Sequence, residues 1–294
     1  MERVSVRSLV RAVPRDVREG VKDAPRAGLG TFGGPRVLPD FVIIGAQRAG
    51  TTSLYNYLIR HPDIAGARLA KEVHFFDLQY ERGEDWYRRF FPTGSSRGRH
   101  IRRTGRQLVV GEASPYYLFH PLAPGRAAGL LAQARLIAML RDPVERAFSH
   151  WRHEVRLGYE TLGFAEAIAR EPERTAGETT RLRDEPGYRS FSHQHHTYVA
   201  RGEYADQLRA WLERFPRESL LVVESEEFFE RPKEVLRGAH AFLGVSPMDL
   251  DAYERFNATE GGAMDPADRD RLVGHFQPHN ERLFELIGRR FDWS

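Results

Sequence analysis

The stretch FVIIGAQRAGTTSLYNYL, residues 41–58, limits the folds open to this chain more than any other. Phe41–Gly45 is an apolar run too short for a helix and reads as a buried strand, and Thr51–Arg60 reads as a helix ended by His61-Pro62. The loop between them, G-A-Q-R-A-G-T-T, nearly matches the phosphate-binding pattern G-x-x-x-x-G-K-[ST], except that Thr51 stands in place of the lysine. A strand feeding a glycine-flanked loop and then a helix makes an anion site. Backbone N–H groups converge on the ligand, and the helix N-terminus adds positive potential. Gly50 lets the backbone approach the anion with no side chain in the way. Gln47, Arg48 and Ala49 complete the loop, and Thr51, Thr52 and Ser53 offer hydroxyl donors at the helix start. With Arg48 as the loop's one cation, the pattern argues against magnesium–ATP chemistry. It favours an anion held by one arginine, amides and hydroxyls, with an ordinary tight strand–helix turn as the bland alternative.

From Pro39 onward strands alternate with helices. Further strands are expected at Leu108–Gly111, Arg135–Leu140 and Leu220–Glu224, and a helical turn at Asp85–Phe91. Helices are expected from Pro143 to about Arg156 and over Tyr204–Phe215, Pro232–Leu243 and Pro266–Arg289. This alternation predicts an α/β, P-loop-like three-layer fold with a central, mainly parallel sheet flanked by helices. Residues 1–38 differ, with many arginines and a GLGTFGG cluster, and read as a basic N-terminal arm preceding one domain at 39–294. That arm is expected to fray or dock on the body, the other reading being a basic amphipathic helix on an anionic membrane surface. The Arg-rich segment 97–106 is expected to be a solvated loop.

The longest apolar runs, Phe41–Ile44 and Leu136–Leu140, are far too short to span a bilayer, and the first residues lack the apolar core of a secretory signal. No cysteine is present, so there is no disulfide framework and no thiolate metal site. A formal charge of +3 gives no case for nucleic-acid binding. Lys22, Lys71 and Lys233 are the only lysines among 44 basic residues, so arginine is available for work often given to lysine. His193, His195 and His196 in FSHQHHTYVARG lack the spacing and companion ligands of a zinc site; they read as a polar loop over a cleft, and no metal is expected. Trp151 and Trp211 read as core or interface aromatics.

A second binding feature follows the strand at Arg135–Leu140. Arg141 leaves the strand's carboxyl end, where open α/β sheets bind ligands, and Ser149 lies about two turns into the next helix. Together they could clamp a second phosphate, although Arg141-Asp142 also reads as a local ion pair capping a helix. In KEVHFFD, extended alternation puts Glu72 and His74 on one side, with Phe75 and Phe76 as walls that would make the carboxylate more basic by desolvation. Pairing of Glu72 with Lys71 or Arg68, and a merely packed His74, is the simpler reading from spacing alone.

The loop and the R-D-P-V-E-R-A-F-S stretch together resemble the sulfotransferases that use 3′-phosphoadenosine 5′-phosphosulfate (PAPS). The resemblance is nearest to the heparan sulfate glucosaminyl 3-O-sulfotransferases and the N-sulfotransferase domain type. It runs from about Pro39 to Ser294, through HPDIAGARLAKEVHFFD, DWYRRFFP, GEASPYYL, RGEYADQLRAWLERFP and HFQPHNERLFELIGRRFDWS. It implies that the GxxxxGTT loop cradles the 5′-phosphosulfate, that Arg141 and Ser149 bind the 3′-phosphate, and that no metal is required. It further implies that Glu72 is the catalytic base, with His74 and Asp77 supporting it or touching the acceptor, and that Arg48 is the leaving-group cation.

Three departures stand out. The family has lysine at the Arg48 position, and arginine keeps the charge but not the point-like reach. Ala113 replaces a lysine that follows the glutamate equivalent to Glu112, and Lys71 is the candidate substitute for gripping the acceptor. After Phe256-Asn257 the chain lacks the family's disulfide-closed loop and KGR contact, so nucleotide contacts are expected from Arg201-Gly202 and Tyr204 or from the Gly261-Gly262 turn.

The expected activity is therefore transfer of a sulfuryl group from PAPS, leaving PAP, to a hydroxyl or less readily an amine of a carbohydrate-bearing or other small acceptor. A P-loop kinase and a nucleotide-binding scaffold without catalysis are the rivals. Relatives of this kind in eukaryotes work in the Golgi lumen behind an anchor. No anchor is evident here, so a cytoplasmic enzyme is expected, with peripheral membrane contact through the arm left open, as is the oligomeric state.

Overall fold

Every residue of β1 (Phe41–Gly45) is buried, which is why this strand reads as an unbroken apolar run and not as an alternation. The structure, a computed structural model, describes residues 34–68, 70–253 and 262–293. The arm expectation falls almost wholly on residues 1–33, outside the described residues, as do Phe256-Asn257 and Gly261.

After β1 come α1 (Thr51–Leu58), β2 (Ile64–Gly66), α2 (Phe75–Leu78), α3 (Glu84–Arg88) and α4 (Gly94–Thr104). Then follow β3 (Val109–Ala113), α5 (Ala123–Leu131), β4 (Arg135–Leu140) and α6 (Pro143–Leu157). A helical stretch succeeds it: α7 (Phe164–Thr175), α8 (Glu178–Asp184), α9 (Phe191–His195) and α10 (Tyr204–Leu212). The chain closes with β5 (Leu220–Glu224), α11 (Ser225–Glu230), α12 (Pro232–Leu243) and α13 (Pro266–Ile287).

The strands form one sheet in the order β2-β3-β1-β4-β5, and every pairing is parallel. β1 sits in the middle, with Phe41 opposite Gly111 of β3 and Arg135 of β4. The main core covers this sheet. A smaller one, including Val144, Phe164, Tyr198 and Phe276, packs the inner face of α6. Truncating a core ring such as the fully buried Phe41 costs about 3–5 kcal/mol.

Two helix starts matter for the site. Gly50 caps α1 at φ +98°, and a Cβ there would lie 2.8 Å from the Phe229 ring, so both backbone and space demand glycine. A Cβ at Gly45 would lie 2.5 Å from Cβ of Leu118, so the strand's exit is equally tight. α6 begins with Asp142, whose side chain accepts from the N–H groups of Val144 and Glu145, then Pro143 at its first position, and ends at Gly158 with φ +76°.

The solvated loop expected at 97–106 is instead mostly helix. Thr93 caps α4 by accepting from the Ser96 N–H, and Gly105 closes it at φ +71°. Two of the segment's arginines are tied down, Arg97 pairing with Asp40 and Arg106 donating to the buried Asp63 at 2.6 Å, while Arg99, Arg102 and Arg103 are exposed. Helices expected through Phe215 and Arg289 stop at Leu212 and Ile287. β2 and the helices α5 and α7 go unread in the sequence, although Phe164, Ala167 and Ile168 of α7 recur at helical spacing on its buried face.

Candidate active site

The loop after β1 and one face of α6 open into a single cavity of about 710 Å³ at the carboxyl ends of β1 and β4. The loop contributes Gln47 through Thr52, and α6 contributes Ser149 with Arg152, His153, Glu154 and Arg156. Arg48 adopts a left-handed backbone, φ +69°, and its Nε donates to Ser149 Oγ at 3.2 Å. Arg141 Nη1 donates to the Arg48 carbonyl at 3.3 Å. The two expected phosphate-binding groups are thus in direct contact. Burial, then the charges of Arg156 and Arg141, push Arg48 down to about 10, so it stays a cation at neutral pH.

On another wall lies a charge relay. His74 Nε2 is 3.2 Å from Glu72 Oε2, and His74 Nδ1 is 2.8 Å from Asp77 Oδ2. Lys71 Nζ donates to Glu72 Oε1 at 2.9 Å and to Thr52 Oγ1 at 2.7 Å, linking the relay to the anion loop. His74 is left-handed too, φ +53°, and its N–H is held by Ser114 Oγ at 3.0 Å. Among the described residues the only non-glycine residues with positive φ are Arg48 and His74, and both line this cavity. A left-handed non-glycine backbone costs about 1–2 kcal/mol per residue, and such strain concentrates at functional sites.

The expected rise in the basicity of Glu72 does not occur. Phe75 and Phe76 begin α2 and turn into the core, whereas Glu72 is exposed. Partial burial works to raise it, but the bond from His74 and the charge of Lys71 outweigh that and hold Glu72 down at about 2. Burial opposes a charge on His74, yet Asp77 and Glu72 outweigh it and lift His74 to about 10. At neutral pH His74 is therefore an imidazolium beside the Glu72 carboxylate.

Beneath it, Glu112 of β3 is fully buried and accepts from Tyr87, Tyr117 and Ser114 at 2.8, 3.0 and 2.7 Å. Burial raises it to about 7. Ser114 and Tyr117 in turn hold the N–H groups of His74 and Phe75. Ala113, where the family pattern has lysine, is fully buried.

Other expected site residues stand behind the lining. Ser53 is fully buried on α1, and the Asp77 side chain is inaccessible, so neither faces the cavity. Tyr204 donates to the Arg141 carbonyl at 2.8 Å, and Gly202 packs where a Cβ would lie 2.6 Å from Phe276. Both steady the strand end and lie off the cavity lining, as does Lys71. Arg201 does reach the lining, but its guanidinium is committed to Gln47 and to the carbonyls of His193 and Gln194, lying 4.6 Å above the Tyr116 ring. Gly262 is exposed and lines a neighbouring cleft with Phe164 and Trp151.

Of the histidines expected in a polar loop, His193 and His195 are in α9 and His196 follows at its C-cap, with His193 and His196 buried. His193 is bonded to Tyr116 Oη at 2.7 Å and pushed by burial down to about 3. His195 Nδ1 lies 2.9 Å from Glu154, which also lies 3.2 Å from His150. Trp211 is core, and Trp151 donates to the Leu162 carbonyl. Residue-by-residue reading overlooked Arg152, His153 and Arg156, though they fall three, four and seven positions after Ser149, the spacing of one helix face.

Residues 38–265 match the model of the sulfotransferase domain. The chain is 26% identical to the membrane-associated sulfotransferase kil1 of Dictyostelium discoideum, covering 95% of this chain and 71% of that protein. It is 26% identical to mouse heparan sulfate glucosamine 3-O-sulfotransferase 3B1, over 89% of this chain and 66% of the relative. A solved sulfotransferase from Alicyclobacillus acidocaldarius superposes with a TM-score of 0.63 at 35% identity, covering 87% of this chain and 98% of its own. The cytoplasmic expectation is corrected by these relatives, one of which is membrane-associated by name. No helix among the described residues is long and apolar enough to cross a membrane.

Proposed function

The chain belongs to the sulfotransferase domain family and is a sulfotransferase enzyme. On that premise we propose that it transfers a sulfuryl group from PAPS to a hydroxyl, less readily an amine, of a carbohydrate-bearing or other small acceptor, with Glu72 as base. The observation that carries this reading is that the amide loop, the Arg141–Ser149 pair and Glu72 all border one cavity. At about 710 Å³ the cavity is in the size range of nucleotide and cofactor sites, and its donors are amides, hydroxyls and arginines, which suit anions.

PAPS, when bound, supplies an activated sulfur whose bond to the bridging oxygen breaks with both electrons leaving on the phosphate of PAP. The loop amides, Thr51 and Thr52 orient the 5′ end. Arg48 sets positive charge where the leaving oxygen gains negative charge, a contribution that grows toward the transition state. Arg141 and Ser149 hold the 3′-phosphate. Glu72 takes the acceptor's hydroxyl proton as the new O–S bond forms. A carboxylate held near 2 is a weak base, but it suffices, because an attacked hydroxyl becomes strongly acidic as its oxygen bonds to sulfur. His74 and Asp77 act as positioning residues, fixing the Glu72 carboxylate through the relay. Arg201 acts the same way on Gln47, and Tyr204 on Arg141.

The test is sulfate transfer from labelled PAPS to a panel of saccharides, phenols and amines, alongside calorimetry with PAP and with AMP. Turnover on a hydroxyl acceptor, with PAP bound far more tightly than AMP, is expected. Equal affinity for the two nucleotides would overturn the assignment of Arg141 and Ser149. Tight PAP binding with no turnover on any acceptor would leave the scaffold reading in its place.

A further inference from the structure

Away from the cavity, three side chains of metal-ligand type converge. Glu203 caps α10, while His275 and His279 sit four apart on α13 and so share one face. His275 Nε2 lies 3.1 Å and His279 Nε2 3.8 Å from the same oxygen, Glu203 Oε1. The two imidazole rings stack with centroids 4.9 Å apart at 23°, and one donor atom from each of the three residues lies within 4.8 Å of the others. In a tetrahedral site with metal–ligand bonds of about 2.0–2.1 Å, ligand atoms sit roughly 3.4 Å apart. The observed separations bracket that value before any ion has drawn the ligands in.

The ordinary alternative is a surface ion pair between Glu203 and a protonated His275, with His279 merely adjacent. Two features weigh against it. Two imidazoles directed at one carboxylate oxygen form a redundant pair but a well-filled ligand set. The three side chains are 39%, 18% and 31% exposed for His275, His279 and Glu203, so His279 and Glu203 are partly shielded while His275 lies at the surface, open to an entering ion. Two histidines and one carboxylate form a donor set that suits zinc.

We propose that Glu203, His275 and His279 form a binding site for a divalent first-row cation, zinc foremost, that clamps α13 to the segment leading into α10. That segment is Arg201-Gly202-Glu203. Arg201 holds Gln47 of the anion loop, and Gly202 packs directly on Phe276, which lies on α13 between the two histidines. A cation here tightens the support of the anion loop without touching donor or acceptor. None of the transfer steps uses it, so the site is structural.

One neighbour competes. Arg282 Nη2 lies 2.9 Å from His279 Nδ1 and donates to it, which places the ring hydrogen of neutral His279 on Nε2, the atom the cation needs. Arg282 is exposed and can swing away, so it weakens the site without blocking it. Removing Arg282 should therefore tighten binding, an effect that a bare surface ion pair does not produce.

The experiment is calorimetric titration of the chelator-stripped full chain with zinc chloride, together with melting curves and the absorption spectrum of the cobalt(II) form. One equivalent is expected to bind and raise the melting temperature. Binding and the rise in melting temperature should be lost in the His275→Ala/His279→Ala double variant, and Arg282→Ala should bind zinc more tightly than wild type. The proposal is overturned by an absence of saturable binding in the wild type, or by equal binding in the double variant. Should the double variant fail to fold, an Arg282→Ala protein with unchanged zinc affinity and an octahedral cobalt spectrum overturns it instead.

Discussion

Two histidine–carboxylate clusters border the same cavity, and a histidine in each is pushed in the opposite direction. In the first, one histidine stands between two carboxylates: His74, flanked by Glu72 and Asp77, is lifted to about 10 against the effect of burial. In the second, two histidines share one carboxylate. His150, fully buried beside Glu154, is driven by burial to about 3; the Glu154 bond resists, while Arg201 and Arg146 reinforce the fall. The contrast shows that stoichiometry and exposure, not residue type, decide which cluster carries mobile charge. The first keeps an exposed carboxylate facing the cavity. The second supports the wall formed by α6 and α9, with His150 buried behind it.

The sharpest way to separate them is to remove each carboxylate. Glu72→Gln is expected to lower turnover by about 10²–10⁴-fold, the range of general base catalysis, with PAP affinity unchanged by calorimetry. Near-wild-type turnover in that variant would remove Glu72 from the chemistry. Glu154→Ala acts on stability instead, at about 1–3 kcal/mol for each partner left unmatched, read from urea midpoints. If its melting is unaltered, the second cluster is not the support described here.

Asp77→Asn should have a smaller effect and a different signature. It removes the largest influence raising His74, so the imidazolium loses its proton nearer neutrality. The kcat/KM profile, expected to be flat from about pH 6 to 9 in the wild type, should then decline through that range. An unchanged profile would detach Asp77 from the relay.

Weakest, and still measurable, is the pH dependence of stability. Glu72 has a depressed folded value, so its contribution is present above about 4.5, its ordinary value, and is lost as pH falls toward about 2. His74 has a raised one, so its contribution is complete below about 6.5 and is lost as pH rises through about 10. The stability gap between wild type and His74→Gln should therefore narrow steadily from pH 7 to pH 10. A constant gap would mean that packing, not charge, holds His74.

Much of the fold was legible because the buried parallel strands β1, β4 and β5 are apolar runs bounded by loop signals, with ends at Phe41–Gly45, Arg135–Leu140 and Leu220–Glu224 as read. α4 was not, since it rests on Thr93, Gly105 and pairs with Asp40 and Asp63 far away in the sequence, none of which appears as periodicity. At the site, the anion loop and its two helix-side partners were legible as local motifs. The state of Glu72 was not: it depends on which way Phe75 turns and on a histidine held left-handed by Ser114, forty residues away. Nor could spacing reveal that His275 and His279 face Glu203, because that juxtaposition is made only by the packing of α13 on α10.

The tightness around Gly45 and Gly50 carries a lesson for how such a chain diverges. With Leu118 and Phe229 pressed against them, these two positions have no side chain to vary and no space to acquire one. Drift toward new acceptors is therefore channelled outward, to Arg152, His153 and Arg156 on the open face of α6. There a single exchange alters charge and shape at the mouth while the donor's seat stays as it was.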